Sequence, residues 1–172
     1  YGTTINLHAG FDLDAVRRSF NEEAVTIISL VPTMLQRMLS ANMIFPNTLR
    51  QLLLGGAAAT TDLLDACSRH DLPVAVTYGL TEAASQVATL PPDAAHFKPG
   101  CVGKPLLFTR VWVEGETGNI LPPGEVGEIC VAGPTLMRGY WRDEAATQQT
   151  LRNGAMGSIA PHSPVLHTGD LG

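Results

Sequence analysis

The sequence predicts an α/β fold: a parallel sheet with crossover helices, followed by a smaller antiparallel, barrel-like β subdomain. Three observations carry this prediction. Up to about residue 90, short apolar runs alternate with runs whose apolar residues recur at helical spacing, the pattern of strands joined by crossover helices. Three prolines then fall between Leu90 and Gly100, and helical periodicity fades, which places a boundary near residue 100. From Gly103 onward, short strand-like runs are separated by Gly, Asn and Pro turns, as in antiparallel meanders or barrels.

The elements follow in order. Thr4 to His8 reads as a short strand. Asp12 is a helix N-cap, with Leu13, Val16 and Phe20 on one face of the helix behind it. Val25 to Leu30 is a buried strand, and Pro32 occupies the first turn of a helix whose stripe of Met34, Leu35, Met38 and Leu39 ends near Met43. Leu49 to Leu54 is a third strand, broken by Gly55-Gly56. Thr60, Thr61 and Asp62 offer caps for a helix to about His70, and Pro73 to Thr77 is the fourth strand. In the second part, residues 101–172, Arg110 to Glu114 and Glu128 to Ala132 are strands, Asp143 opens a helix to about Leu151, and Asn153 to Pro164 is a loop.

Composition bounds the function. A chain of 172 residues, 45% of them hydrophobic and only 16% charged, suits one domain or two small packed ones, and is long enough to bury roughly 70% of its unfolded surface. Disorder is excluded by the low charge. A net charge of −5 with scattered Lys and Arg argues against a nucleic-acid or anionic-membrane platform, because counterion release needs clustered cations. No run of about 18 apolar residues marks a membrane span, and no secretory signal is visible, so the expected compartment is the cytoplasm. Cys67, Cys101 and Cys130 lack metal-ligand spacing and read as reduced, packed thiols. His8, His70, His96 and His162 have no partners at ligand or triad spacing.

Chemistry is expected beyond the carboxyl ends of the parallel strands. Leu54-Gly55-Gly56-Ala57 runs from a strand into a row of tiny side chains, where a ring or phosphate can approach the backbone; taken alone, the segment reads first as a plain tight strand-to-helix turn. Tyr78-Gly79-Leu80-Thr81-Glu82 places an aromatic ring, a glycine, a hydroxyl and a carboxylate together. Tyr78 suits stacking on a base, Thr81 a phosphate oxygen and Glu82 a magnesium ion. A capping Thr81 and a first-turn Glu82 are the bland alternative. Asp170, in His167-Thr168-Gly169-Asp170, suits two ribose hydroxyls or an ordinary Asx-turn. No GxSxG elbow, HExxH or Walker A pattern is present.

Taken in order, these segments resemble the adenylate-forming superfamily of acyl-CoA synthetases, peptide-synthetase adenylation domains and luciferases. The resemblance rests on Leu30-Val31-Pro32-Thr33, Leu54-Gly55-Gly56-Ala57, Tyr78-Gly79-Leu80-Thr81-Glu82, Gly124-Glu125-Val126-Gly127-Glu128-Ile129 with Arg138-Gly139-Tyr140-Trp141, and Thr168-Gly169-Asp170. Within the superfamily, Tyr78 to Leu90 and Lys98 to Leu106 are most similar to the o-succinylbenzoate-CoA ligases of menaquinone synthesis. The resemblance implies part of an acyl-CoA synthetase-like N-terminal domain, with ATP, Mg²⁺ and coenzyme A as reaction partners of a small carboxylic acid. It implies that Gly55, Gly56 and Ala57 line the adenine and acyl pocket, Tyr78 stacks on adenine beside Gly79, and Thr81 touches the α-phosphate. Glu82 would hold Mg²⁺, Asp170 the ribose hydroxyls, and Ser85 and Gln86 the aromatic acid. The implied reaction has two steps: the acid attacks the ATP α-phosphorus and expels pyrophosphate, then the coenzyme A thiol displaces AMP.

The family's phosphate loop is expected upstream and its catalytic Lys downstream, so the chain reads as a central portion, inactive alone. Residues 153–164 form a longer loop than the family's usual spacing, which bears on the pose of Asp170. Another acyl or aryl ligase, an amino-acid adenylation domain and a non-catalytic module of this fold are the competing readings. A homo-oligomer of the full-length protein stays open.

Overall fold

In the first third of the chain the helices begin where capping chemistry dictates. α1 (Leu13–Glu22) is capped by the Asp12 carboxylate, which accepts a 2.8 Å hydrogen bond from the Ala15 N–H. α2 (Pro32–Ser40) carries its proline in the first turn, where no N–H is missed. α3 (Thr61–Arg69) is capped by the Thr60 hydroxyl accepting from the Leu63 N–H. Between them run β1 (Ile27–Leu30) and β2 (Gln51–Leu54), and β3 (Val74–Leu80) follows α3. The computed structural model describes residues 2–93, 100–154, 160 and 162–172. Lys98 and Pro99 of the ligase-like motif, His96 and residues 155–159 of the long loop lie outside the described residues.

The chain forms two compact units: Tyr1–Val76 with Leu90–Cys101, and Thr77–Thr89 with Val102–Gly172. In the first, β1, β2 and β3 pair in parallel, with Leu30 opposite Leu54 and Leu54 opposite Val76. Its core is a single cluster in which Leu35, Met38, Leu52, Leu54, Cys67 and Val74 are essentially inaccessible. The methionine stripe is therefore core, as its helical spacing suggests. Thr4 to His8 is a correction: it is not a strand. Ile5 and Leu7 are exposed, and the segment is tied instead to α1 and its C-cap, Asn6 donating to Ser19 and Glu23 and His8 meeting the Ser19 hydroxyl. Alternating apolar residues make a strand only where a partner edge accepts the backbone.

The sequence puts one boundary near residue 100, whereas Thr77–Thr89 packs with the second unit. The reason is a buried face. β3 runs straight through Tyr78-Gly79-Leu80, a single 3-10 turn covers Thr81–Ala83, and β4 (Ser85–Leu90) follows. Ala83 and Val87 are fully buried against Val131 and Leu166. The connection from β3 to β4 is too short for the crossover a parallel strand needs. β4 pairs antiparallel with β5 (Lys104–Pro105), so the strand order is β1-β2-β3-β4-β5.

The rest of the second unit is an antiparallel sheet in the order β6-β7-β9-β8, made of β6 (Arg110–Glu114), β7 (Glu128–Ala132), β8 (Leu151–Asn153) and β9 (Pro164–Leu171), with α4 (Glu144–Thr150) before β8. Alternation sends Val131 and Leu166 to one face and Trp112, Cys130 and Val165 to the other. The sequence shows only a turn at Asp170 behind a loop ending at Pro164. Instead Pro164 to Leu171 is one strand with an irregularity: four residue steps of β9, His167 to Leu171, oppose two of β7, Cys130 to Glu128. Gly169, at φ +74°, takes the left-handed conformation inside this bulge. Among the described residues, no helix is long and apolar enough to cross a membrane.

Candidate active site

Two tyrosine–carboxylate pairs define the site, both within the second unit. The Tyr78 hydroxyl donates a 2.6 Å hydrogen bond to Oδ2 of Asp170, and the Tyr140 hydroxyl donates 2.7 Å to Oε1 of Glu82. Each pair joins residues far apart in sequence. Among the described residues the second oxygen of each carboxylate has no hydrogen-bond partner. Glu82, Tyr140, Thr168, Gly169 and Asp170 line one cavity of about 420 Å³, within the range of small-molecule pockets.

Local structure explains the aim of each group. Glu82 sits on the 3-10 turn, whose position is locked by a 2.7 Å bond from the Met137 N–H to the Glu82 carbonyl. Ala84 and Ser85 leave the turn at φ 51° and 94°, a region non-glycine residues seldom visit, which is strain stored beside the site. Gly79 is required by a close approach: a Cβ there would lie 1.8 Å from the Ser85 carbonyl oxygen. Its role is therefore packing between β3 and β4. Tyr140 is presented by Gly139 (φ +146°), where a side chain would collide with Thr147, and the Tyr140 N–H donates to the Thr147 hydroxyl.

Asp170 is aimed by the bulge of β9. Thr168 donates to the Ile129 carbonyl at 2.8 Å and accepts from the Asp170 N–H at 3.1 Å, and the Gly169 N–H donates to Oε1 of Glu128. The Asx-turn alternative is thereby replaced by a strand bulge in which Thr168, not Asp170, caps the local backbone. Burial, followed by the hydrogen bond to Asp170, pushes the Tyr78 phenol up to about 12, so it is a neutral donor at physiological pH. The bond to Glu82 also raises the Tyr140 phenol. Burial alone would raise the Glu128 carboxyl, but the bonds from His167 and the Gly169 N–H outweigh it and hold the group below the usual range.

The remaining predicted residues fall into place separately. Thr81 is exposed, and Leu80, not Thr81, is the cap position, without any side-chain cap bond, so the Thr81 cap fails, while Glu82 does stand in the first turn. Ser85 is exposed and Gln86 half-buried at the start of β4. Gly55, Gly56 and Ala57 lie in the first unit at the end of β2. Gly55 donates to the Leu30 carbonyl, Gly56 has φ +78°, and Gly56 and Ala57 are exposed. Tyr140, Glu128 and His167 each stand in one of the motifs but have no evident role in the sequence; only the folded chain shows what they touch.

A model of the family described as AMP-binding enzyme matches residues 1–141. The chain belongs to the AMP-binding enzyme family. Among curated members, a 2-succinylbenzoate–CoA ligase from Bacillus licheniformis is 46% identical over 154 residues, 90% of this chain and 32% of the relative. Among solved structures, o-succinylbenzoate coenzyme A synthetase from Bacillus subtilis in complex with ATP and magnesium ion matches with a TM-score of 0.86 at 39% identity. That match covers 100% of this chain and 34% of the other. The same enzyme with the acyl-adenylate intermediate OSB-AMP gives a TM-score of 0.83 at 38% identity, covering 96% and 32%. The chain thus spans about a third of the length of these AMP-binding enzymes.

Proposed function

We propose that this chain is the nucleotide-binding portion of an ATP-dependent acid-thiol ligase, which converts o-succinylbenzoate to its acyl-adenylate and then to o-succinylbenzoyl-CoA. The carrying observation is the pairing of Glu82 and Asp170 on one cavity, each carboxylate steadied by a tyrosine and each with an oxygen unpartnered among the described residues. A free carboxylate oxygen suits the donor hydroxyls of a ribose at Asp170. At Glu82 it suits Mg²⁺, which prefers carboxylate oxygens alongside phosphates. Magnesium held there supplies positive charge against phosphate oxygens.

The chain's own residues then bind and orient. Tyr78, half-buried and tethered through its hydroxyl, presents a fixed ring for adenine, with Gly79 beside it. The exposed Thr81 hydroxyl is free to donate to the α-phosphate. Gly55, Gly56 and Ala57 offer a surface without bulky side chains for the adenine and acyl groups, and Ser85 and Gln86 polar contacts for the acid. Alignment and charge stabilisation of this kind suit adenylyl transfer to the carboxylate, with pyrophosphate leaving, and then acyl transfer to the thiol, with AMP leaving, without a protein nucleophile. With ATP and coenzyme A as co-substrates, the proposed compartment is the cytoplasm.

The test is pyrophosphate release by the full-length protein across a panel of aromatic, fatty and amino acids. Release specific to o-succinylbenzoate, followed by thioester formation with coenzyme A, is expected. Release with a different acid, and none with o-succinylbenzoate, overturns the substrate assignment. No release with any acid, together with no ATP binding, makes the chain part of a non-catalytic module.

A further inference from the structure

Strands β6, β7 and β9 bring a second set of polar groups together. Trp112 stands opposite Cys130 and Glu114 opposite Glu128 across β6 and β7, and His167 stands opposite Cys130 across β7 and β9. Residues two apart on a strand share a face, so Glu114, Glu128, Cys130 and His167 converge on one side of the sheet. Sγ of Cys130, a ring nitrogen of His167 and a carboxylate oxygen of Glu114 all lie within 4.8 Å of one another. The Sγ to Nδ1 distance is 3.6 Å, and Nδ1 is 3.0 Å from Oε2 of Glu128. Tetrahedral zinc, with bonds of about 2.0–2.3 Å, holds its ligand atoms about 3.3–3.8 Å apart. The thiol and imidazole already have that spacing, and the Glu114 and Glu128 carboxylates stand next to them.

We propose that Cys130, His167, Glu114 and Glu128 bind a zinc ion. Thiolate and imidazole favour zinc over magnesium or calcium, and two carboxylates complete four ligands. Binding forms the zinc–sulfur bond as the thiol proton leaves to solvent, and His167 carries its own proton on Nε2. The surroundings favour a cation. Cys130 is fully buried, and the carboxylates of Glu114 and Glu128 stand beside it on the same face of β6 and β7. Trp112, itself buried, donates 2.7 Å to Oε1 of Glu114 and orients that carboxylate from behind, the supporting contact that metal ligands commonly have. Glu128 and His167 also line the 420 Å³ cavity, which gives an ion its path. Since Glu128 holds the Gly169 N–H through its other oxygen, a bound ion would pin the bulge that aims Asp170.

The test is titration of the chelator-cleared full chain with Co²⁺, followed by competition with Zn²⁺. A sulfur-to-cobalt charge-transfer band saturating at one equivalent, quenching of Trp112 emission, and displacement of both by Zn²⁺ are expected. Cys130→Ser removes the band, Glu114→Gln and His167→Gln each weaken binding at least tenfold, and Cys67→Ser and Cys101→Ser leave it unchanged. Absence of the band at saturating Co²⁺, or its persistence in Cys130→Ser, overturns the proposal. Should Cys130→Ser not fold, an unchanged affinity in His167→Gln overturns it equally, because the wild-type chain with this single variant separates this site from the other two thiols.

Discussion

Replacing Gly79 with alanine tests the reasoning about the Tyr78-to-Glu82 segment. The added Cβ would meet the Ser85 carbonyl oxygen at 1.8 Å, its carbon at 2.7 Å and Gln86 Cα at 2.9 Å, and Cβ contacts under 3.0 Å are essentially never seen. All three atoms are backbone, so no rotamer change relieves the clash. The start of β4 must retreat by at least 1.2 Å from β3 to reach 3.0 Å, dragging Val87, fully buried against Val131 and Leu166. Inserting a methyl into a packed region costs about 1–3 kcal/mol. With a rigid backbone obstacle, the upper end, about 3 kcal/mol, is expected, which lowers the midpoint by roughly 6–12 °C for a chain of this size. Both tryptophans, Trp112 and Trp141, lie in the second unit, so urea unfolding followed by tryptophan emission reads the affected unit directly. Gly10→Ala, where nothing lies within 4 Å, is the control and stays within about 0.5 kcal/mol. A Gly79→Ala protein as stable as this control would refute the packing role and restore a purely conformational one.

Four further outcomes are expected. Tyr78→Phe keeps the half-buried ring but frees Asp170. A bond to a charged group is worth about 1.5–3 kcal/mol, so the melting temperature falls by several degrees, and KM for ATP in the full-length protein rises about tenfold because Asp170 is no longer held in place; unchanged KM would detach the pair from nucleotide binding. Glu82→Gln retains an acceptor for the Tyr140 hydroxyl yet loses the charge that attracts Mg²⁺, so kcat/KM falls about 10²-fold or more while the circular dichroism spectrum is preserved. In pH titrations, the Tyr78 phenol is raised from 10 to about 12 by folding. Its stabilising contribution is present below pH 10 and is lost as pH rises through 12, and Tyr78→Phe reduces the slope of stability over that interval. Finally, Cys67 and Cys130 are buried, and burial pushes their thiols up to about 11 and about 12. Mild alkylation of the metal-free native chain at pH 8 is expected to label Cys101 alone, as read by mass spectrometry.

Most of the first unit is legible in the residues because its signals are local. Asp12 and Thr60 each make the N-cap bond that their side chains suggest, as Asp143 does in the second unit, and the apolar stripe of α2 becomes core. The same locality misleads at Thr4 to His8, where alternation looks like a strand but the side chains tie the segment to α1, and it hides β4 and β9, whose residues read as binding motif, loop and turn. A strand is completed by hydrogen bonds to residues distant in sequence, so its existence is a tertiary fact.

The site divides along the same line. By itself the sequence determined which residue types are present in which order, enough to mark Tyr78, Glu82 and Asp170 as chemistry-bearing and to point to an adenylate-forming fold. Tertiary structure alone decided that Tyr78 holds Asp170, that Tyr140 holds Glu82, that Gly79 serves a close backbone approach, and that Cys130, His167 and two glutamates share one face. Motif order is written along the chain, whereas hydrogen-bond partnership depends on strand pairing and a bulge in β9. No local pattern of residues encodes which of many possible registers buries Val131 and Leu166 against Ala83 and Val87; only the packed core selects it.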